Sequence, residues 1–251
     1  MKNPFLDFKK VTLRNREIPL EQIVRKNLQV MGELIAAYRR LAQDEVKELC
    51  RLLAHSIRFN VYKAFLSSME LPKFLATTLT NAVIVYESSL KLIQGIPYTP
   101  DDIEELCAHM GLSKEVDFEQ TAPMGLYLSA LINASKERCF KLNLQQYQNR
   151  LHFLGFRLQE GKHLLAQGDL GNFAGAGLLG GYLEVIGSAG SWSGADMTSG
   201  CIRVTGDVLS KTGELMKGGL IQVDGQIQEL ARSRSGGEIH SSSEEHVTGD
   251  P

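Results

Sequence analysis

The segment GAGLLG at residues 175–180 is the first pattern in this chain that could do chemistry, because it satisfies G-x-G-x-x-G. In dinucleotide-binding folds this pattern follows a strand and opens a helix whose N-terminus receives the pyrophosphate. An acidic residue about 20 positions further on then binds the ribose. Here the following residues, GYLEVIG, alternate as a strand does. We therefore assign these glycines to a structural repeat and set the nucleotide site aside.

Side chains that could transfer protons or bind a metal occupy positions with simpler explanations. The acidic run at 101–105 follows Thr99 and Pro100, so its carboxylates suit the positive end of a helix dipole better than an acid–base pair. His55 and His109 fall in helical patterns without a partner at metal-ligand spacing. We therefore assign no catalytic residue, no cofactor-binding residue and no metal ligand, and we expect that the chain alone is not an enzyme.

Nucleophiles and basic residues are similarly isolated. Ser191, Ser193 and Ser199 lie in a glycine-rich stretch without a G-x-S-x-G elbow. The four cysteines form no C-x-x-C pair, which favours free thiols in a reducing compartment. Basic residues are in excess over the first 40 positions, but glutamates interrupt them and the net charge of the chain is −2. This pattern favours a solvated helix face over a nucleic-acid surface.

Localisation follows from what the sequence lacks. The start, MKNPFLDFKK, has no apolar signal segment. No apolar run approaches the ~18 residues that would span a bilayer. We expect a cytoplasmic protein with no membrane association, and nucleic-acid binding by the helical unit is the third and least favoured option.

A repeat over residues 163–226 must position most of these groups. Gly168, Gly187, Gly206 and Gly225 recur with a period of 19. Further columns keep this register: Gly175, Gly194 and Gly213; Gly181, Gly200 and Gly219; Leu164, Leu183, Ile202 and Ile221; Ala166, Val185, Val204 and Val223; Leu178, Met197 and Met216. Such a period predicts a solenoid, because one coil is too small to bury its own apolar face. Since 19 is not divisible by six, as left-handed hexapeptide helices require, we predict a right-handed parallel β-helix.

The segments GDLGNFAGAGLLGG, LEVIGSAGSWSGADMTSG and IRVTGDVLSKTGELMKGGLIQVDG resemble the glycine-rich GXGXG β-helix domain. That family includes the C-terminal domain of the glutamate synthase large subunit and the β-helix subunit of formylmethanofuran dehydrogenase. The resemblance covers about residues 150–230 and leaves about the first 145 without a counterpart. It implies a structural element that holds catalytic domains or subunits in place.

The resemblance therefore implies a non-catalytic scaffold or subunit in which the β-helix mediates assembly and the N-terminal half acts as an adaptor. The alternative is an accessory subunit of a redox or one-carbon enzyme complex like those of the two relatives. The chain departs from both: its first half is helical in pattern, and it lacks the amidotransferase and flavin-binding regions of glutamate synthase. No specific activity can be carried over.

The first half predicts an all-α unit of about five helices. Their expected bounds are Pro19 to Leu41; Asp44 to Phe65; Phe74 to Ile93, after a break at Leu71-Pro72 and before Gly95; Pro100 to Met110, between a Thr99 cap and a stop at Gly111; and Met124 to Ala134. Strands are expected to begin before the clear repeat, over 140–144 and 151–153.

We thus predict an α+β protein by segregation. Residues 1–140 form the helical domain, 141–230 the GXGXG-type parallel β-helix and 231–251 a disordered tail. Because parallel coils leave unpaired backbone groups at both ends, those ends must be covered. The helical domain or the lead-in strands can cover the first coil. We expect a partner protein or a second copy to dock at the last coil or on a flank near Trp192.

Overall fold

The computed structural model describes residues 10–13, 16–41, 47–53, 70–113, 121–147 and 149–242. Helices occupy the N-terminal part and parallel coils of β-strands the C-terminal part, so the predicted segregated α+β class is confirmed. The described residues include five helices: α1 (Leu20–Leu41), α2 (47–53), α3 (Glu70–Leu92), α4 (Pro100–Ser113) and α5 (Thr121–Ala134). Within the described chain, no helix is both long and apolar enough to cross a membrane.

A short antiparallel hairpin precedes the helices. It pairs β1 (Lys10–Leu13) with β2 (Arg16–Pro19). The prediction that Pro19 opens α1 is wrong, because Pro19 ends β2 opposite Lys10 and α1 begins at Leu20. Proline fits the end of an edge strand, where its missing N–H costs no ladder bond. Of the second predicted helix, only 47–53 belongs to the described residues.

Three predicted helix boundaries are also wrong. Leu71-Pro72 does not break the chain, since α3 begins at Glu70 and the proline falls in its first turn, where amides have no intrahelical acceptor. Gly111 does not stop α4, which continues to Ser113. A Cβ at Gly111 would lie 2.8 Å from the ring of Tyr147, so this glycine allows close packing. Helix α5 begins at Thr121, ahead of the predicted Met124.

Among the described residues, six parallel strands form the main sheet of the solenoid: β3 (Cys139–Asn143), β4 (His163–Gln167), β5 (Leu179–Ile186), β6 (Ser199–Val204), β8 (Leu220–Val223) and β10 (Glu238–Ser241). Their order in the sheet is β10-β8-β6-β5-β4-β3. His163 pairs with Tyr182, Tyr182 with Cys201, and Cys201 with Leu220, so that each pairing advances the chain by one period. The predicted coil length is therefore confirmed, while the handedness stays a prediction. A second parallel sheet pairs β7 (Val208–Thr212) with β9 (Ile227–Leu230).

The corner that joins the sheets is built from left-handed backbone at alternate positions. In one coil Phe173, Gly175 and Gly177 have φ values of 64°, 64° and 65°. The same geometry recurs at 192, 194 and 196 and at 211, 213 and 215. Side chains in this region cost roughly 1–2 kcal/mol each. Backbone bonds between coils offset that cost, as when the amide of Phe173 donates to Ser191 O at 2.8 Å.

Residues 153, 155 and 157 repeat this corner, with φ values of 60°, 78° and 52°. The predicted strand at 151–153 is therefore wrong, and this segment is the corner of a coil that precedes the recognisable repeat. One glycine column contains an irregularity: the β5–β6 register shifts between Leu179 and Tyr182, so that Gly180 and Gly181 together oppose Gly200. Gly180 has the φ of 107° that corresponds to 96° at Gly200 and 94° at Gly219, while Gly181 O is the atom nearest to a Cβ at Gly200.

The solenoid extends beyond its predicted end. Strand β10 pairs with β8, with Ile239 opposite Ile221, and Gly237 continues the glycine column at φ 84°. The prediction of a disordered tail is therefore wrong for residues 231–242. This coil could not be recognised from the repeat, because the step from Leu220 to Glu238 is one position shorter than the period. The segment is also rich in serine and glycine, as disordered segments often are. Residues 243–251 lie outside the described residues.

Candidate functional site

Helix α5 closes the first end of the solenoid. All its residues from Thr121 to Asn133 are buried. Its packing against the coil is so close that a Cβ at Gly125 would overlap the carbonyl oxygen of His152. A helix that is buried on every face in this way belongs in a core, and the helices and coils share one apolar cluster.

Two polar side chains of α5 bond the backbone of the first corner. Ser129 Oγ accepts from the amides of Gly155 and Phe156, at 3.0 and 3.2 Å. Asn133 Nδ2 donates to Phe156 O and Arg157 O, at 3.3 and 3.1 Å, and its Oδ1 accepts from the amide of Gln159 at 3.1 Å. These bonds take the place of a preceding coil. The expectation that the helical half can cover this end is confirmed by these hydrogen bonds from α5.

The first strand of the main sheet is covered as well. Helix α4 packs on β3, and Cys107 Sγ lies 3.9 Å from the carbonyl oxygen of Asn143. Tyr147 donates its hydroxyl to Cys107 O at 2.8 Å. Helix α4 thus packs on β3, and helix α5 packs on the first corner.

A row of aromatic rings continues this seal along the corner. Phe173 stacks on Phe153 with ring centroids 4.6 Å apart, and on Trp192 at 5.2 Å. Trp192 also meets Phe74 of α3 at 6.1 Å and is only 6% exposed. The flank near Trp192 is therefore covered by the chain's own helix, so it is not available as the docking flank considered above.

The C-terminal end has no comparable cover among the described residues. In this part of the chain, β9 and β10 each have one neighbouring strand, β7 and β8 respectively. Ile239 of β10 is only half-buried, whereas Ile202 and Ile221 in the same column are fully buried. Ile227 and Leu230 of β9 are half-buried too. The last coil thus presents apolar side chains together with two strand edges.

The acidic run at the start of α4 is structural, as its position indicates. The amide and hydroxyl of Thr99 donate to Asp102 Oδ2 at 2.8 and 2.7 Å. The amide of Asp102 lies 3.3 Å from Thr99 Oγ1, which completes a reciprocal cap. Glu105 and His109 are exposed on the same helix. His55 lies outside the described residues.

His152 is a buried titratable group that sequence reasoning missed. Its Nδ1 accepts the amide of Asn172 at 2.7 Å, and a Cβ at Gly171 would collide with its ring. Burial lowers the pKa of His152 to about 4. The imidazole is therefore neutral and bonds one coil to the next. No sequence motif surrounds it, so only the coil register could have revealed it.

The cysteines and serines also have structural positions. Burial raises the pKa of Cys50 and of Cys107 to about 12, so both are protonated thiols. Ser193 donates to Gly190 O at 2.8 Å within its own corner. Within the described chain, no three histidine, cysteine, aspartate or glutamate side chains cluster as metal ligands would.

A cavity of about 510 Å³ opens beside the first coils and is lined by Tyr147, Arg150 and Asp169, among others. Arg150 Nη2 lies 2.7 Å from Asp169 Oδ2. The other oxygen of Asp169 accepts the amide of Ser188 at 2.8 Å. The two charged side chains in the described lining, Arg150 and Asp169, are thus paired with each other.

Comparison of the chain with known protein families, with curated proteins and with solved structures finds no match.

Proposed function

We propose that this chain is a non-catalytic scaffold subunit, in which the solenoid mediates assembly and the helical half serves as an adaptor. The observation that carries the proposal is the difference between the two ends. The first coil is sealed by buried hydrogen bonds to Ser129 and Asn133, while the last coil presents half-buried Ile239 and the edge of β10. An exposed edge next to apolar side chains is a template for another chain.

The adaptor role rests on the outer surface of the helices. Leu28 of α1 is 66% exposed, and Leu52 of α2 and Ile84 of α3 are 43% and 42% exposed. Apolar side chains at such positions give a protein partner something to bury. We therefore place one partner at the helices and one contact at the last coil.

Co-purification of the tagged full chain from its source cells tests the proposal. We expect a defined set of proteins at fixed stoichiometry in the wild type, and loss of one of them in Leu28→Glu. Gln29→Glu is the matched control, since it adds the same charge at the adjacent exposed position and should retain every partner. If the tagged chain purifies from the cells without any other protein, the scaffold role is refuted.

The alternative proposal is an accessory subunit of a redox or one-carbon enzyme, and the 510 Å³ cavity favours it. In that case the co-purified complex would have an enzymatic activity that depends on this chain. Arg150→Ala would lower that activity without dissociating the complex, because Arg150 lies at the cavity wall and not at an end of the solenoid. An activity that the variant leaves unchanged would exclude a role for the cavity.

A further inference from the structure

We propose that β10 pairs antiparallel with β10 of a second copy, so that two solenoids join end to end through their last coils. The proposal rests on the assembly function above and names its partner at this end. Three features carry it: the alternation of β10, the burial of its apolar residue and the register of charges along its edge.

The alternation of β10 separates an inner from an outer row. Ile239 pairs with Ile221, which is fully buried, so Ile239 and Ser241 belong to the inner row. Glu238 and His240 are exposed on the outer row, where His240 Nε2 lies 3.1 Å from Glu238 Oε2. A partner strand must therefore bring an inward apolar residue opposite Ile239.

A two-fold axis perpendicular to the sheet supplies such a strand. It keeps the inner faces of both copies on the same side, because rotation about the sheet normal leaves that normal unchanged. Directly opposite residues in an antiparallel pair point to the same face. Only registers centred on a residue then keep the two cores continuous, since a register centred between residues would place Ile239 opposite an outward His240.

Charge selects one of the remaining registers. Centring on Glu238 would oppose two carboxylates, and centring on His240 would oppose two imidazoles and leave Ile239 facing Ser241. Centring on Ile239 opposes the two Ile239 side chains in the inner row. It also places each Glu238 opposite His240 of the other copy, twice by symmetry. A ring N–H of His240 can donate to the carboxylate opposite it, whereas two carboxylates placed opposite one another repel.

The residues that follow β10 in the sequence, 243–251, do not match this requirement in their amino-acid pattern. The sequence SEEHVTGDP at 243–251 contains a single apolar side chain, Val247. It offers no apolar residue at alternate positions, as a strand that extends the inner row would need. A second copy offers Ile239 itself, at a position that symmetry fixes.

Light scattering of the purified full chain at increasing concentration provides the first test. We expect a mass of twice 27.8 kDa for the wild type. His240→Glu should weaken the dimer about tenfold, because it places carboxylates opposite one another twice. Glu238→Lys should weaken it to a similar extent, because it removes the acceptor opposite His240 twice. The exchange Glu238→His with His240→Glu restores the pairing and should restore the wild-type dimer.

Lys141→Glu is the control. Lys141 is exposed and occupies the same outward row as His240, but on β3 at the covered end. It should leave the dimer unchanged. All four substitutions lie on the solvent face, so circular dichroism should report an unchanged fold.

Cysteine cross-linking tests the register. In a Cys139→Ser, Cys201→Ser background, Glu238→Cys mixed with His240→Cys should form a disulfide-linked heterodimer, and neither variant alone should cross-link. A monomer at the highest soluble concentration, or cross-linking by either variant alone, would overturn the proposal. A dimer in solution with no other protein in the cells would preserve this interface and refute the scaffold role. A monomer that still co-purifies with other proteins would refute this interface and preserve the scaffold role.

Discussion

The first and last coils of the solenoid each lack a neighbouring coil on one side, but among the described residues only the first coil is covered by a helix. At the first coil, α5 places Ser129 and Asn133 against five backbone atoms of residues 155–159. At the last coil, Ile239 stays half-buried and the described residues offer no further strand. The proposal of association at the last coil depends on this difference between the two ends.

The difference also shows in which substitutions each end can tolerate. A buried hydrogen-bonded cap is sensitive to the loss of one atom, because each orphaned backbone group costs about 1–3 kcal/mol. Exposed outward residues of the last coil can change with little effect on folding. Variants at the first end should thus report on the free energy of unfolding, and variants at the last end on assembly.

Gly125→Ala should have the largest effect. The added Cβ would overlap the carbonyl oxygen of His152, so α5 must move away from the coil that it caps. We expect the free energy of unfolding to fall by about 3 kcal/mol or more in chemical denaturation. Gly32→Ala in α1 is the control, because no described atom lies within 4 Å of its Cβ position. It should raise stability by about 0.5–1 kcal/mol, and equal losses in both variants would contradict the cap.

Acid should weaken the same end through His152. Its pKa is about 4 in the folded chain against an ordinary value of 6.5, so the unfolded chain binds the extra proton between these values. The contribution of His152 is fully present above pH 6.5 and is lost as the pH falls toward 4. At that limit it amounts to about 3 kcal/mol.

Denaturation series of the wild type and His152→Asn would reveal this loss. Asparagine keeps an acceptor for the Asn172 amide but does not titrate. The difference in free energy of unfolding between the two proteins should be constant above about pH 7. At more acidic pH the variant should become more stable relative to the wild type. A difference that does not change with pH would contradict the buried neutral imidazole.

Asn133→Ala should cost about 2–3 kcal/mol, since it leaves Arg157 O and the amide of Gln159 without their partner. The corresponding truncation at the other end, Gln228→Ala at the exposed position of β9, should change the free energy of unfolding by less than about 0.5 kcal/mol. Thermal or chemical denaturation of the pair compares the two ends directly. Similar losses would mean that the ends do not differ as the structure indicates.

The sequence could reveal the coils but not their ends. Columns such as Leu183, Ile202 and Ile221 are visible because each coil buries the same position. The cap is invisible because Ser129 and Asn133 act through backbone atoms that are distant in sequence, and nothing local in α5 specifies those contacts.

The corner was predicted only in part, for a related reason. Its glycines mark the turn, but Phe173 and Trp192 adopt the same left-handed backbone without being glycine. Backbone hydrogen bonds between coils stabilise this left-handed conformation, and the sequence of a single coil does not indicate them. The last coil could not be predicted because a shortening by one position breaks the period that identifies the others.

Glu214 should give the smallest effect and the sharpest test of how the corner changes toward the last coil. The corresponding residues of the two preceding coils are Ala176 and Ala195, both fully buried, and Glu214 is only 3% exposed. Its Oε2 is buried without a hydrogen-bond partner among the described residues. Since an unsatisfied buried oxygen is unfavourable, Glu214→Ala should raise the free energy of unfolding by about 1 kcal/mol or less.

Ala195→Gly, one coil earlier, is the matched control: it alters the same column without removing a polar group and should lower stability. If Glu214→Ala stabilises the purified chain while its assembly in cells weakens, the carboxylate belongs to the associating end. If Glu214→Ala destabilises the chain as much as the control does, the carboxylate instead supports the fold, and the polar character of this coil has no bearing on association.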